Sequence, residues 1–168
     1  MNSVFDDLEQ VGSGAAYIEE ICLLMERTDM FRDLDRQDVE QIALYITVYK
    51  AAQGVEVMRE GDRESYLFVL ATGKLQIMKR DEDNTNKKLA VIRAGKSIGE
   101  MSVVDGMHHS ASAIALEDCQ LLLLTKANFD LLMGKNPVVG LILMNKISNL
   151  MSLRLRQTSG VLVDYLAE

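Results

Sequence analysis

The stretch Ser97-Ile98-Gly99-Glu100-Met101-Ser102-Val103-Val104-Asp105-Gly106-Met107-His108-His109-Ser110-Ala111 decides how this chain is read. It departs from the strand rhythm on either side of it. Gly99 lets backbone approach closely, and Glu100 to Val104 can complete one helical turn whose first N–H groups lack intrahelical partners. Gly106 then closes a loop back to the run Ala111-Ser112-Ala113-Ile114-Ala115. Free amides at a helix start, inside a loop held by glycines, form a cradle for one anionic group. The same spacing also fits an ordinary connection with a helical turn, so the surroundings must decide.

Outward from that stretch, Val48 to Leu124 reads as short β-branched, aromatic and aliphatic runs cut by turn residues every ~8–12 positions, the pattern of a compact β-barrel or sandwich. The runs are Val55–Met58, Ser65–Leu70, Leu75–Met78, Lys88–Ile92, Ala111–Ala115 and Gln120–Leu124. Glu60-Gly61-Asp62, Thr72-Gly73, Asp81 to Asn86 and Ala94-Gly95 separate them, with glycine, Asn and Asp supplying turn chemistry.

Helical periods flank the barrel. After a flexible break at Gly12-Ser13-Gly14, Ile18, Ile21, Cys22 and Met25 share one helical face. Val39, Ile42, Ala43 and Ile46 repeat that spacing behind a cap at Asp33 or Asp35. Beyond Thr125, Phe129, Leu132 and Met133 mark a short helix, and Asn136-Pro137 opens a longer one. In that last helix Leu141, Met144, Ser148, Met151 and Leu155, continued by Thr158 and Leu162, follow a 3,4 spacing, while Leu143, Ile147 and Leu150 form a second apolar stripe. One stripe can pack on the barrel and the other on a second copy. The alternative is that both cover this chain's own barrel.

A length of 168 residues suits one domain, and 48% hydrophobic against 26% charged residues describes a globular protein. No apolar stretch reaches the ~20 residues of a membrane-spanning helix, and the acidic start MNSVFDDLEQ is unlike a secretory signal, so no membrane contact and a cytoplasmic location are expected. A net charge of -7 has the wrong sign for a nucleic-acid surface. Cys22 and Cys119 sit among apolar neighbours and read as buried free thiols. His108 and His109 raise the thought of a metal enzyme, but adjacent residues on extended chain point to opposite faces and the chain has no third histidine. No metal site and no catalytic constellation is expected.

Gly99-Glu100-Met101-Ser102, then Asp105-Gly106 and Ser110-Ala111, resembles the phosphate-binding cassette of cyclic nucleotide-binding domains, the family of the bacterial catabolite activator protein and the cyclic-AMP-dependent kinase regulatory subunits. Glu60-Gly61-Asp62 before Tyr66–Leu70, Gly73-Lys74-Leu75 and Gly95 extend the resemblance over roughly Phe31 to Gly160. It implies a mainly β fold with flanking helices: an eight-stranded jelly-roll (double-stranded β-helix) with N-terminal helices and a long C-terminal helix. The expected division is an N-terminal helical segment at 1–30, the jelly-roll at 31–135 and a hinge and dimerisation helix at 136–168. Val161 to Glu168 would remain after that helix, too little for a helix-turn-helix domain.

By the same resemblance Glu100 would accept a hydrogen bond from a ribose 2′-hydroxyl of cyclic AMP or cyclic GMP, and the amides near Met101, Ser110 and Ala111 would face the cyclic phosphate. An arginine should precede the Ser-Ala pair. His109 stands there, and no arginine occurs between Arg93 and Arg154. An imidazole of pKa ~6.5 is mostly neutral at pH 7, and losing one charge-assisted bond weakens binding on the order of 10- to 150-fold. His109 can also be a loop side chain with no ligand. Glu100 has no evident structural duty in a turn that any polar residue could occupy. The sequence therefore points to a stand-alone regulatory module sensing a cyclic nucleotide or similar small anion, as a homodimer or through a protein effector. Its alternative is an interaction scaffold that has lost its ligand.

Overall fold

The computed structural model describes residues 3–166, with side chains through Val163. A 3-10 turn at Val4–Asp7 leads into β1 (Glu9–Ser13), and a second at Gly14–Tyr17 leads into α1 (Ile18–Met25) and α2 (Arg36–Ala43). β2 (Thr47–Ala51), β3 (Glu56–Met58), β4 (Tyr66–Thr72), β5 (Lys74–Arg80), β6 (Asn86–Arg93) and β7 (Ser97–Ile98) precede α3 (Glu100–Asp105). β8 (Ser112–Ala115), β9 (Cys119–Thr125), α4 (Lys126–Lys135) and α5 (Pro137–Leu166) follow.

The strands make two antiparallel sheets, ordered β1-β2-β9-β4-β7 and β3-β8-β5-β6. This is the expected jelly-roll with flanking helices. Val57, Phe68, Leu70, Leu75 and Leu121 fill one apolar cluster with strands of both sheets. A second cluster joins Leu67, Val69, Leu122 and Leu124 to Ile21, Met25, Phe31, Ile42, Phe129, Leu143 and Ile147 from the helical regions. β4 and β9 are therefore covered on both faces. That is why they read as continuous apolar runs rather than alternating ones.

The N-terminal segment differs from its expected helical reading. Glu9–Ser13 is a strand on the edge of β2, pairing Glu9 with Lys50 and Ser13 with Thr47. The supposed break at Gly12-Ser13 lies inside it. Its sequence shows no alternation because solvent takes most of both faces. Cys22 and Cys119 are free and buried, and burial pushes both thiols up, away from the reactive thiolate.

Thr125 caps α4 by accepting from the Asn128 amide at 3.1 Å, and Asn136 caps α5 with its Oδ1 3.4 Å from the Val139 amide. Val139, Leu143 and Ile147 are buried in the helical core, with Leu150 packed against it. Gly140 brings α5 against α4, since a Cβ there would lie 2.4 Å from Met133 Sδ and 3.0 Å from its Cα. On the other stripe Leu141 and Leu155 are 56% and 69% exposed and Ser148 is exposed, whereas Met144 and Met151 lean partly on the chain's own core.

α5 corrects two expectations. It does not stop near Gly160; Val161 to Leu166 continue it. Pro137–Val163 also contains a window of mean hydropathy 1.3, long and apolar enough by length and composition to cross a membrane, where the sequence reading found no such stretch. The interrupted apolar spacing hid it: Asn145, Lys146 and Ser148 break the run without lowering its average far. Of that window 22% is buried, and the helical core takes Val139, Leu143 and Ile147.

Candidate cyclic-nucleotide site

Gly99 sits at the N-terminus of α3 with φ 83° and ψ 10°, left-handed backbone that disfavours a side chain. Space forbids one as well, because a Cβ would lie 2.5 Å from the Tyr66 carbonyl oxygen and 2.6 Å from Met58 Cε. Ser102 pins α3 to the barrel, its Oγ 3.1 Å from the Tyr66 carbonyl and 2.9 Å from that of Gly99. Gly106 ends the helix in the same left-handed region at φ 71°, and its amide donates to the Ser102 carbonyl at 2.9 Å.

Glu100 is 3% exposed, and each of its oxygens accepts a hydrogen bond. The Ser97 hydroxyl donates to its Oε1, and Arg154 Nη1 donates to its Oε2 at 2.7 Å. Arg154 Nη2 also donates to the Ser97 carbonyl at 2.5 Å. The sequence reading gave Glu100 no structural duty, and the structure overturns that: its carboxylate joins β7, α3 and α5.

His109 turns inward rather than out from its loop. It is 4% exposed, its ring lies against Tyr66, and its Nε2 has no hydrogen-bond partner. Burial pushes its pKa down, opposed by the nearby Asp62 charge and a hydrogen bond to the Glu64 backbone. The backbone explains the inward turn. The Gly61 amide donates to the His109 carbonyl at 2.8 Å and the His109 amide to the Asp62 carbonyl at 3.3 Å, tying the cassette to the Glu60-Gly61-Asp62 loop. His108, next in chain, is exposed.

Gly99, Glu100 and His109 thus lie at the junction of α3 with β4 and β7. Met101 is 53% exposed at the first turn of α3, Ser110 is exposed and Ala111 half-buried. Lys79 approaches from β5, donating to the Ser110 carbonyl at 2.6 Å and pairing with Glu60 Oε1 at 3.3 Å. Among the described residues no group of three or more His, Cys, Asp or Glu side chains could hold a metal ion. The cassette from Ser97 to Ala111 itself carries no guanidinium; the one that reaches Glu100 comes from Arg154 on α5.

Ser97, Tyr66, Lys79 and Arg154 were missed from sequence. For Arg154 a signal existed: positions 143, 147, 150 and 154 continue the barrel-facing stripe of α5 in 4,3,4 steps. An arginine on that stripe must meet a barrel group.

Residues 49–136, just over half of the chain, match the family described as "Cyclic nucleotide-binding domain". The cyclic AMP receptor protein of Thermus thermophilus is 29% identical over 133 residues, 79% of this chain and 60% of the receptor. A cAMP-dependent protein kinase regulatory subunit of Blastocladiella emersonii is 27% identical over 60% of this chain and 25% of its own length, so this chain spans less than two-thirds of either relative. The crystal structure of a cyclic nucleotide-binding domain from Methylobacillus flagellatus superposes with TM-score 0.84 at 26% identity, covering 98% of this chain and 93% of that one. With the two-sheet barrel, the glycine-bounded α3 and the family match in agreement, the chain belongs to the cyclic nucleotide-binding domain family.

Proposed function

We propose that the domain is a cytoplasmic regulatory sensor of cyclic AMP, cyclic GMP or a similar small anion. The ligand sits against Gly99, Glu100, Met101, Ser110 and Ala111, and α5 passes the signal to a second copy of the chain or a protein effector. The observation that carries this is Glu100, a buried carboxylate at the start of α3 behind a glycine that no side chain can replace. His109 takes the cassette position of the arginine without its charge. It packs its ring against Tyr66 and gives no cation to a phosphate. The domain acts by binding rather than catalysis: the Ser102 hydroxyl is spent on two backbone carbonyls and the His109 ring is packed on Tyr66, so neither supplies a nucleophile and base. The charge of -7 disfavours duplex DNA as a partner.

A second reading, a scaffold without ligand, draws on one observation: both Glu100 oxygens are already taken by this chain. Calorimetry with cyclic AMP, cyclic GMP and cyclic dinucleotides, on the native chain and on His109→Arg, separates the two. The sensor predicts weak native binding and a gain of about tenfold or more in the folded variant, the worth of one charge-assisted bond. Silence from both proteins at millimolar ligand makes the scaffold the correct reading.

A further inference from the structure

We propose that the outer edge of β6 is a docking site for an extended acidic segment of another protein, which pairs as an added strand with Ala90–Arg93. The inference does not depend on what the cassette binds. β6 lies at the end of its sheet with β5 on one side and no strand on the other, so every second residue turns its N–H and C=O away from the barrel. Seven of its eight residues are exposed, among them Leu89 at 64% and Val91 at 39%.

The charge here is local. Residues 74–93 carry six Lys or Arg against three Asp or Glu, in a chain of net charge -7. Lys74, Lys79 and Lys87 are paired, with Glu117 at 2.8 Å, Glu60 at 3.3 Å and Asp81 at 3.6 Å. Lys88 and Arg93 have no ion partner among the described residues. Their placement follows from the register. Leu75 and Ile77 face the core, so Gln76 and Met78 face outward, and so do their β6 partners Val91 and Lys88. Arg93, two residues beyond Val91, shares that face. Val91 thus lies between two free cations. A strand added beside Ala90–Arg93 sets one side chain against Val91 and the side chains two residues away against Arg93 and Lys88, so the segment that fits reads acid-x-apolar-x-acid.

The edge is guarded, and the guard chooses the partner. Ile77 pairs with Ala90 but Met78 with Lys88, so Leu89 is a bulge that interrupts regular pairing toward the hairpin tip. Two β6 edges brought together would set Lys88 and Arg93 against like charges, which disfavours a second copy. An acidic strand turns the same two residues into attractions. A lipid surface answers the charge but offers no ladder to the outward N–H and C=O groups.

The test uses the full chain and a synthetic peptide, Gly-Ser-Glu-Thr-Val-Thr-Glu-Ser-Gly. We expect binding by calorimetry and hydrogen-exchange protection of amides 89–93. Affinity should fall about tenfold at high salt, and about tenfold in Lys88→Glu with Arg93→Glu, a surface pair that leaves Tm near native. A peptide with Lys in place of both Glu should prefer the double variant to the native chain. The acidic peptide N-methylated at alternate amides keeps its side chains but cannot pair as a strand, and it should not bind. Equal binding of the N-methylated peptide, protection confined to residues outside β6, or no binding of the acidic peptide to the native chain overturns the proposal. Protection of 89–93 by phosphatidylserine vesicles without binding of the peptide assigns the surface to lipid and overturns it as well.

Discussion

The ring of His109 stands at 64° to that of Tyr66 with 4.4 Å between centroids. Burial of this ring sets a pH dependence of stability that an exposed imidazole lacks. Burial lowers the folded pKa below the ordinary value near 6.5, so the unfolded chain binds the proton more readily. The contribution of neutral His109 is fully present above about pH 6.5 and is lost as pH falls toward the folded pKa. Thermal melts of native protein and His109→Gln from pH 8 to pH 5 should show their stability difference shrinking or reversing at the acid end. A difference independent of pH would mean that the ring is open to solvent. Anion binding should gain little from mild acidification.

Gly99→Ala combines a left-handed backbone with a Cβ driven into the Tyr66 carbonyl. The substitution should destabilise by about 1–3 kcal/mol, lowering Tm by several degrees, and should weaken any cyclic-nucleotide binding further by displacing α3. Melting and calorimetry on the same samples check it.

Gly140→Ala tests the seat of α5. In an open helix the change stabilises by up to about 1 kcal/mol. Here the new methyl would meet Met133, including its Cα, so we expect a net loss of about 1–3 kcal/mol in urea unfolding. A net gain would show that α4 and α5 separate easily.

The stripe Leu141, Met144, Ser148, Met151 and Leu155 should join two copies of the chain. Leu141 and Leu155 are the informative positions, being exposed on the isolated chain. Met151→Glu would also disturb the chain's own core, against which Met151 packs. Leu141→Glu with Leu155→Glu should give a monomer of near-native Tm by light scattering at tens of micromolar. A native protein that is already monomeric there refutes the dimer.

The barrel was legible because its turns carry glycine, Asn and Asp at regular intervals and its strands are β-branched or aliphatic. α1, α2, α4 and the start of α5 announced themselves through 3,4 spacing and caps. β1 did not, since Glu9-Gln10-Val11-Gly12-Ser13 gains its strand geometry from pairing with β2 and not from its own pattern. β7, two residues long, has no period to read. In the site the glycines and Glu100 were readable as types, but the direction of His109 depends on carbonyls at Asp62 and Glu64, and the Arg154 contact closes over 54 residues. The stripe of α5 shows that Arg154 faces the barrel, but the partner that such a long-range polar closure selects leaves no local trace.

The edge strand β1 has a consequence for what can be moved between proteins. The family match starts at Tyr49, inside β2, and ends before α5. A fragment cut to that match would lose β1 and the first two residues of β2, baring β9 at Leu122 and Leu123, and would strip α1, α2 and α5 from Leu67, Val69, Leu122 and Leu124. An unguarded strand edge beside an uncovered apolar sheet invites self-association. The portable unit is therefore wider than its signature: it begins at the Val4–Asp7 turn and carries α5 with it.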